Sequence, residues 1–111
     1  MKIRIELKGG AVTGTLNDSV AAQDFASLLP LTLTLEDYAK TEKISYLPRK
    51  LTITGAPAGA TPLAGDICYY APWGNLAVFY RAVEYSDGLV KLGVLDEDVA
   101  VLKKAGRLSV S

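Results

Sequence analysis

The sequence contains no histidine, and this absence excludes several kinds of catalytic and metal site. Without an imidazole the chain cannot form a Ser–His or Cys–His dyad, a histidine-ligated zinc site or an imidazole pH switch. The single cysteine, Cys68, permits neither an internal disulfide nor a cysteine-rich metal site. No cofactor-binding motif is present, so we expect neither a metal nor a cofactor.

Excess charge and long apolar runs are also missing. The 12 Lys and Arg residues balance 12 Asp and Glu residues, whereas non-specific nucleic-acid binding needs a basic surface. No apolar run approaches the roughly 20 residues of a membrane span. The first residues alternate charge with isoleucine and do not form the apolar core of a signal peptide. We therefore expect a cytoplasmic protein that binds neither nucleic acid nor membrane.

What remains is a chain of 111 residues, half of them hydrophobic, which predicts one folded domain over residues 1–111. Period-two alternation of apolar and polar residues predicts short strands. The predicted strands cover residues 2–8, 11–16, 31–35, 51–54, 67–70, 76–81, 89–95 and 107–110. Residues 36–47 are polar and irregular, and no strand is predicted there.

Turn and cap signals separate these strands. Gly9-Gly10 predicts the turn of a first hairpin, and helical spacing predicts a helix over residues 19–29 that Pro30 ends. The acidic run at residues 96–98 predicts the start of a second helix, with Gly106 just beyond its end. Eight short strands and two short helices indicate an all-β barrel or sandwich.

A closed barrel would remove the exposed edges of such a sheet. An interior bounded by eight strands is just wide enough for side chains to fill it. A binding site is therefore expected on the outer wall or at the rim.

The aromatic residues concentrate in residues 65–81, which hold the only tryptophan, Trp73, together with Phe79 and three of the six tyrosines. Alternation places Cys68 and Tyr70 on one face of their strand and the neighbouring residues on the other. Part of this aromatic surface must therefore lie outside the core. It either covers loops or forms an apolar recognition groove with a polar rim.

Arg49 follows a proline close to Tyr46 and is the candidate for a polar anchor. Its guanidinium either presents a fork of donors to a ligand carbonyl or carboxylate, or pairs with an acid on the surface. Arg81 is expected to be an ordinary solvated charge. Cys68 is expected to be a buried, inert thiol, since no histidine can lower its pKa.

The order of elements and the block from Gly65 to Arg81 resemble the cyclophilin-like proteins of bacteria and archaea, small relatives of the cyclophilin-type peptidyl-prolyl isomerases. The matching stretches are Asn17–Ala21 with Phe25 and Leu28, then Gly65–Ile67, Tyr70, Pro72–Tyr80 and Leu89–Gly93. This resemblance implies a closed eight-stranded barrel with a helix capping each end. It also implies a groove on the outer face of the barrel.

Cyclophilins use an arginine and a phenylalanine in that groove, and the resemblance transfers these roles to Arg49 and Phe79. The histidine and the glutamine-bearing stretch of cyclophilins have no counterpart here. We therefore expect a binding module that holds a peptide segment or small ligand near Tyr46, Arg49, Tyr70, Trp73 and Phe79. The alternative is a weak or vestigial isomerase acting through Arg49 and Phe79. A third reading makes the exposed aromatics a contact between copies, so the chain is expected to be a monomer or a weak homo-oligomer.

Overall fold

Strands make up most of the chain in the computed structural model, which describes residues 1–7, 10–104 and 106–111. The strands are β1 Lys2–Leu7, β2 Gly10–Leu16, β3 Leu31–Thr34, β4 Glu36–Tyr38, β5 Glu42–Tyr46, β6 Gly59–Ala60, β7 Asp66–Tyr70, β8 Asn75–Phe79, β9 Ser86–Asp87, β10 Leu89–Leu95 and β11 Arg107–Val110. The helix α1 covers Val20–Ala26, and a 3₁₀ helix covers Val99–Lys104. The predicted turn at Gly9-Gly10 lies partly outside the described residues. No helix in these ranges is long and apolar enough to cross a membrane.

Nine strands form one antiparallel sheet in the order β3-β11-β1-β2-β10-β7-β8-β5-β4, which curls into a nearly closed barrel. Its two end strands, β3 and β4, are consecutive in the chain and separated only by Leu35. β6 and β9 form a separate two-stranded ladder. The predicted all-β, cyclophilin-like barrel is confirmed, with nine strands in the main sheet instead of eight.

The count differs because of two segments. The predicted strand at residues 51–54 does not form, since the Leu51 N–H donates to the Tyr69 hydroxyl and the Thr52 N–H to Asp24 Oδ2. Conversely, the segment predicted to be irregular forms the hairpin of β4 and β5. Its turn places Ala39 and Lys40 at positive φ, the combination that a type I′ turn requires and that asparagine and glycine usually supply. The turn could not be recognised from the sequence, because Ala39 and Lys40 stand where asparagine or glycine would be expected.

The helix α1 closes one end of the barrel with Phe25, which is fully buried in the core. Ser19 caps it, since the Ser19 hydroxyl oxygen accepts the Ala22 N–H. The helix ends at Ala26, three residues before the predicted Leu29, because the turn tightens into i→i+3 hydrogen bonds ahead of Pro30.

The second predicted helix is a 3₁₀ helix, and one acid of the predicted cap takes part in it. Asp98 Oδ1 accepts the Ala100 N–H. Asp96 instead accepts hydrogen bonds from Lys2, Thr13 and Thr15, which tie it to β1 and β2. These three donors lower the pKa of Asp96 to about 2.

The barrel interior is packed by one apolar cluster. The remaining void among Ile3, Phe25, Ile67 and Val78 is about 10 Å³, at the lower limit of what a single water molecule needs. This void has no space for a ligand, which favours a site on the outer wall or at the rim.

Candidate functional site

The outer wall of the barrel carries a second, separate apolar cluster. Cys68, Ala77, Phe79 and Leu89 are buried there, apart from the barrel core. Ile67, Tyr69, Leu76 and Val78, the alternate residues of β7 and β8, belong to the interior. The two-faced alternation predicted for these strands is therefore confirmed, and both faces are buried.

Strand register arranges the outer wall in rows of side chains. In the first row, Tyr38 of β4 lies opposite Glu42 of β5, which lies opposite Phe79 of β8. Directly paired residues of antiparallel strands project to the same face, so these three side chains share the outer wall. A carboxyl group is thus placed between two aromatic rings.

The next two rows complete the wall. Ile44 of β5 lies opposite Ala77 of β8, which lies opposite Cys68 of β7. Beyond them Asn75 lies opposite Tyr70. The small side chain of Ala77 stands in the middle of larger neighbours, which leaves a depression in the wall.

The turn between β7 and β8 raises an aromatic wall beside this depression. Gly74 has φ of +71°, and the N–H groups of Trp73 and Gly74 both donate to the Tyr70 carbonyl. Trp73 stands edge-on to two tyrosine rings, with centroids 5.7 Å from Tyr38 and 5.4 Å from Tyr70. Trp73 is 47% exposed and Tyr38 42% exposed, so both rings border the opening of the depression.

The result is a cavity of about 170 Å³. Its lining residues are Tyr38, Glu42, Ile44, Tyr70, Trp73, Asn75, Ala77, Phe79, Val83, Ser86 and Leu89. Void space of about 150 Å³ is enough to hold one benzene ring, whereas sites for drug-sized ligands begin near 300 Å³. The cavity therefore fits a single ring or one side chain.

Several polar groups lie on or beside the cavity, and burial alters three of them. Burial, together with the negative charge of Asp37, raises the pKa of Glu42 to about 7. Asn75 is 1% exposed, and its Oδ1 atom is buried and accepts no hydrogen bond from the described residues. Beneath the floor, burial raises the pKa of Cys68 to about 12, which keeps it a thiol, as predicted.

Comparison with known proteins now assigns the chain to a family. The model of the Cyclophilin-like family matches residues 5–111. The chain belongs to that family. A hypothetical protein of Archaeoglobus fulgidus, known from its solution structure, shares the fold with a TM-score of 0.67 at 15% identity. The match covers 100% of this chain and 93% of the archaeal one. No curated protein matches the chain.

In this cyclophilin-like barrel, three of the five predicted site residues come together. Tyr70, Trp73 and Phe79 all line the outer cavity, with Phe79 at its buried floor and Trp73 at its mouth. The cavity thus lies where aromatic residues concentrate in the sequence. Whether the three residues bind a ligand stays a prediction.

Arg49 lies elsewhere and is already paired. Its two terminal nitrogens donate to both carboxylate oxygens of Asp24 on α1, at 2.9 and 2.7 Å, and one also donates to the Ser27 hydroxyl at 3.0 Å. This is the second of the two interpretations offered for Arg49, an arginine paired with an acid. Arg49 is not among the residues that line the cavity with Phe79.

Tyr46 is 63% exposed and also lies outside the cavity lining. It borders a shallow cleft between β3 and β5, together with Thr32, Thr34 and Glu36. Register nevertheless places Tyr46 opposite Asn75 on the same outer wall, next to the cavity lining rather than in it.

Sequence reasoning missed Tyr38, Glu42 and Asn75 as cavity residues. Tyr38 and Glu42 become neighbours only through the unpredicted hairpin of β4 and β5. Asn75 was part of the block that resembled the family, but nothing in the sequence shows that its side chain is buried. In the ranges described, no three side chains of the metal-ligating types His, Cys, Asp or Glu converge.

Proposed function

We propose that this cyclophilin-like chain is a binding module whose outer cavity holds one ring or side chain of a peptide segment or a small ligand. The observation that carries the proposal is the contrast between two voids. The void among the core residues Ile3, Phe25, Ile67 and Val78 is about 10 Å³, whereas the outer wall keeps an aromatic cavity of about 170 Å³.

The lining of the cavity favours a ligand whose main part is apolar. The floor of Ala77, Phe79 and Leu89 is apolar, and covering it removes apolar surface from water at about 25 cal/mol per Å². The polar side chains of Glu42 and Ser86, which line the same cavity, supply its hydrogen-bonding groups. An apolar pocket with few polar groups is the usual composition of a small-molecule or side-chain site.

The isomerase alternative receives no support from the geometry. An isomerase arginine must offer its donors to the proline amide beside the apolar pocket. Here Asp24 and Ser27 occupy the donors of Arg49, and Phe79 lines a cavity that Arg49 does not reach. Arg49 instead joins α1 to the segment that follows β5.

A titration followed by NMR of the ¹⁵N-labelled chain tests the binding proposal. The probes are two single-ring compounds, phenol and cyclohexanol, and the blocked amino acid N-acetylproline methylamide. We expect at least one probe to shift the Trp73 indole N–H and the backbone amides of Ala77 and Phe79. If none of them shifts these resonances at millimolar concentration, the proposal is overturned.

A cavity-filling variant gives the matched control. Ala77→Leu extends a side chain from the floor into the cavity, so it should abolish the shifts while the remaining spectrum shows a folded chain. Ala11→Leu makes the same change at an exposed position of β2 and should leave binding intact. Equal binding by both variants would place the probe somewhere other than this cavity and would contradict the proposal.

A further inference from the structure

The cavity holds one charged side chain, and this charge has no partner. Glu42 is the only charged residue of its lining, and no ion pair or side-chain hydrogen bond to Glu42 exists within the described ranges. A partly buried carboxylate without a cation loses hydration without receiving compensation. The lining therefore lacks a positive group that would complement this charge.

The aromatic rings around Glu42 also favour a positively charged group. Trp73 stands nearly perpendicular to Tyr38 and to Tyr70, at interplanar angles of 82° and 84°. All three rings line the cavity together with Phe79. Clustered aromatic rings attract ammonium groups through their negative faces.

We propose that this cavity recognises an alkylammonium group, which the rings of Tyr38, Tyr70 and Trp73 surround and the carboxylate of Glu42 neutralises. This inference rests on the proposed function, because it names the chemical class that the same cavity binds. The volume of about 170 Å³ is sufficient for one such head group.

The other acidic groups near Glu42 are either paired or neutral, so Glu42 supplies the negative charge that a ligand would meet. On β4, Asp37 is engaged by Lys43 at 3.6 Å and by the Tyr80 hydroxyl. On β7, Cys68 remains a neutral thiol. The charges and titratable groups that act on Glu42 through space are Asp37, Cys68 and Tyr80. Tyr38 is its register partner on the same face, and Lys43 is paired with Asp37.

Paired probes of equal shape test the proposal on the intact chain. Choline carries a trimethylammonium group, and 3,3-dimethylbutan-1-ol replaces its nitrogen by carbon. At about pH 8 we expect choline to bind at least about fivefold more tightly, the usual contribution of a cation over aromatic rings. Equal affinities would overturn the ammonium proposal but leave the binding module standing, whereas no binding by either probe and by the ring compounds would overturn both.

Glu42→Gln keeps the shape of the side chain and removes its charge. This variant should lose the preference for choline and keep its affinity for the neutral alcohol. The same preference should shrink in the unchanged chain at about pH 5, where the carboxyl is protonated, because its pKa is raised to about 7. Glu36→Gln, an exposed carboxylate of β4 outside the lining, is the control and should keep the preference. A preference that survives Glu42→Gln would overturn the role of Glu42.

Two primary amines distinguish the sources of the ammonium group. Tighter binding of the peptide Gly-Lys-Gly than of butylammonium would identify a lysine side chain of a partner. Equal binding would identify a free amine. Either result supports the proposal, whereas failure of both amines and of choline would contradict it.

Discussion

Arg49 and Asp24 form a two-pronged ion pair in which Nη1 donates to Oδ2 at 2.9 Å and Nη2 to Oδ1 at 2.7 Å. The same carboxylate accepts the Thr52 N–H at 2.7 Å. One side chain of the capping helix therefore fixes the segment that leaves β5 without any strand pairing. The pair has a structural role in this barrel, which separates it from the cavity chemistry.

Asp24→Asn should lower the melting temperature by a few degrees near neutral pH. The Arg49 guanidinium holds the pKa of Asp24 well below its usual range, so the folded state gains from the ionised carboxylate. This gain is present above the ordinary Asp pKa near 4 and is lost as the pH falls below it. Melting curves of both proteins should therefore converge in acid. Asp18→Asn is the control, and an equal loss at all pH values would contradict this account.

Glu42→Gln should raise the melting temperature above about pH 7 and leave it unchanged below about pH 4. The folded pKa of Glu42 is raised to about 7, whereas an unfolded Glu titrates near 4.3. The folded chain binds the proton more tightly, so the stability of the unchanged protein falls as the pH rises between these two values. Thermal melting across this range, with Glu36→Gln as the control for net charge, checks the sign. A variant that is less stable at high pH would show that the carboxylate has a partner.

Gly93→Ala should destabilise the barrel by about 2 kcal/mol or more, because the added carbon has no space. A Cβ at Gly93 would lie 2.2 Å from the Thr15 carbonyl oxygen and 2.8 Å from Leu16 Cα, both backbone atoms of the paired strand. The strands β2 and β10 would have to separate. Urea unfolding measures the loss, and Gly10→Ala, where a Cβ meets nothing within 4 Å, should cost far less. Similar losses in both variants would refute the steric explanation.

Lys40→Gly should stabilise the chain by about 1 kcal/mol, which is the usual cost of a left-handed conformation for a residue with a side chain. Lys40 has φ of +57° in the turn that joins β4 to β5. Lys40→Ala keeps the Cβ and removes the charge, so it should show no comparable gain. Urea unfolding of both variants decides between backbone strain and charge as the cause.

The parts of the fold that sequence reasoning found are those with a local signal. Alternation in residues 67–70 and 76–81 identified β7 and β8 and assigned their faces, which places Tyr70 and Phe79 on the same wall. Ser19 and Pro30 marked the two ends of the helix, because capping by Ser19 and helix termination before Pro30 depend only on residues nearby in the chain. The barrel architecture followed from counting such elements and from the family resemblance.

The missed parts depend on partners distant in the chain. The Thr52 N–H bonds to a carboxylate on α1, so the alternating segment at residues 51–54 has no strand partner. Tyr38 and Glu42 reach the cavity through a turn whose residues, Ala39 and Lys40, carry no turn signature. Arg49 is placed by Asp24, 25 positions earlier in the sequence. None of these relationships is visible in local patterns.

The barrel is left incomplete where β3 faces the end of β5 beyond β4, and this seam sets where the backbone is least protected. The Leu35 N–H bonds to Gly106 across β11, so alternation turns the amides of Thr32 and Thr34 toward the seam. The Leu47 N–H bonds to Gly74 on the β8 side, which turns the Tyr46 amide toward the same gap from the opposite edge. The wall can spread there without breaking a ladder, so these three amide hydrogens should exchange with solvent faster than those of the strands on either side.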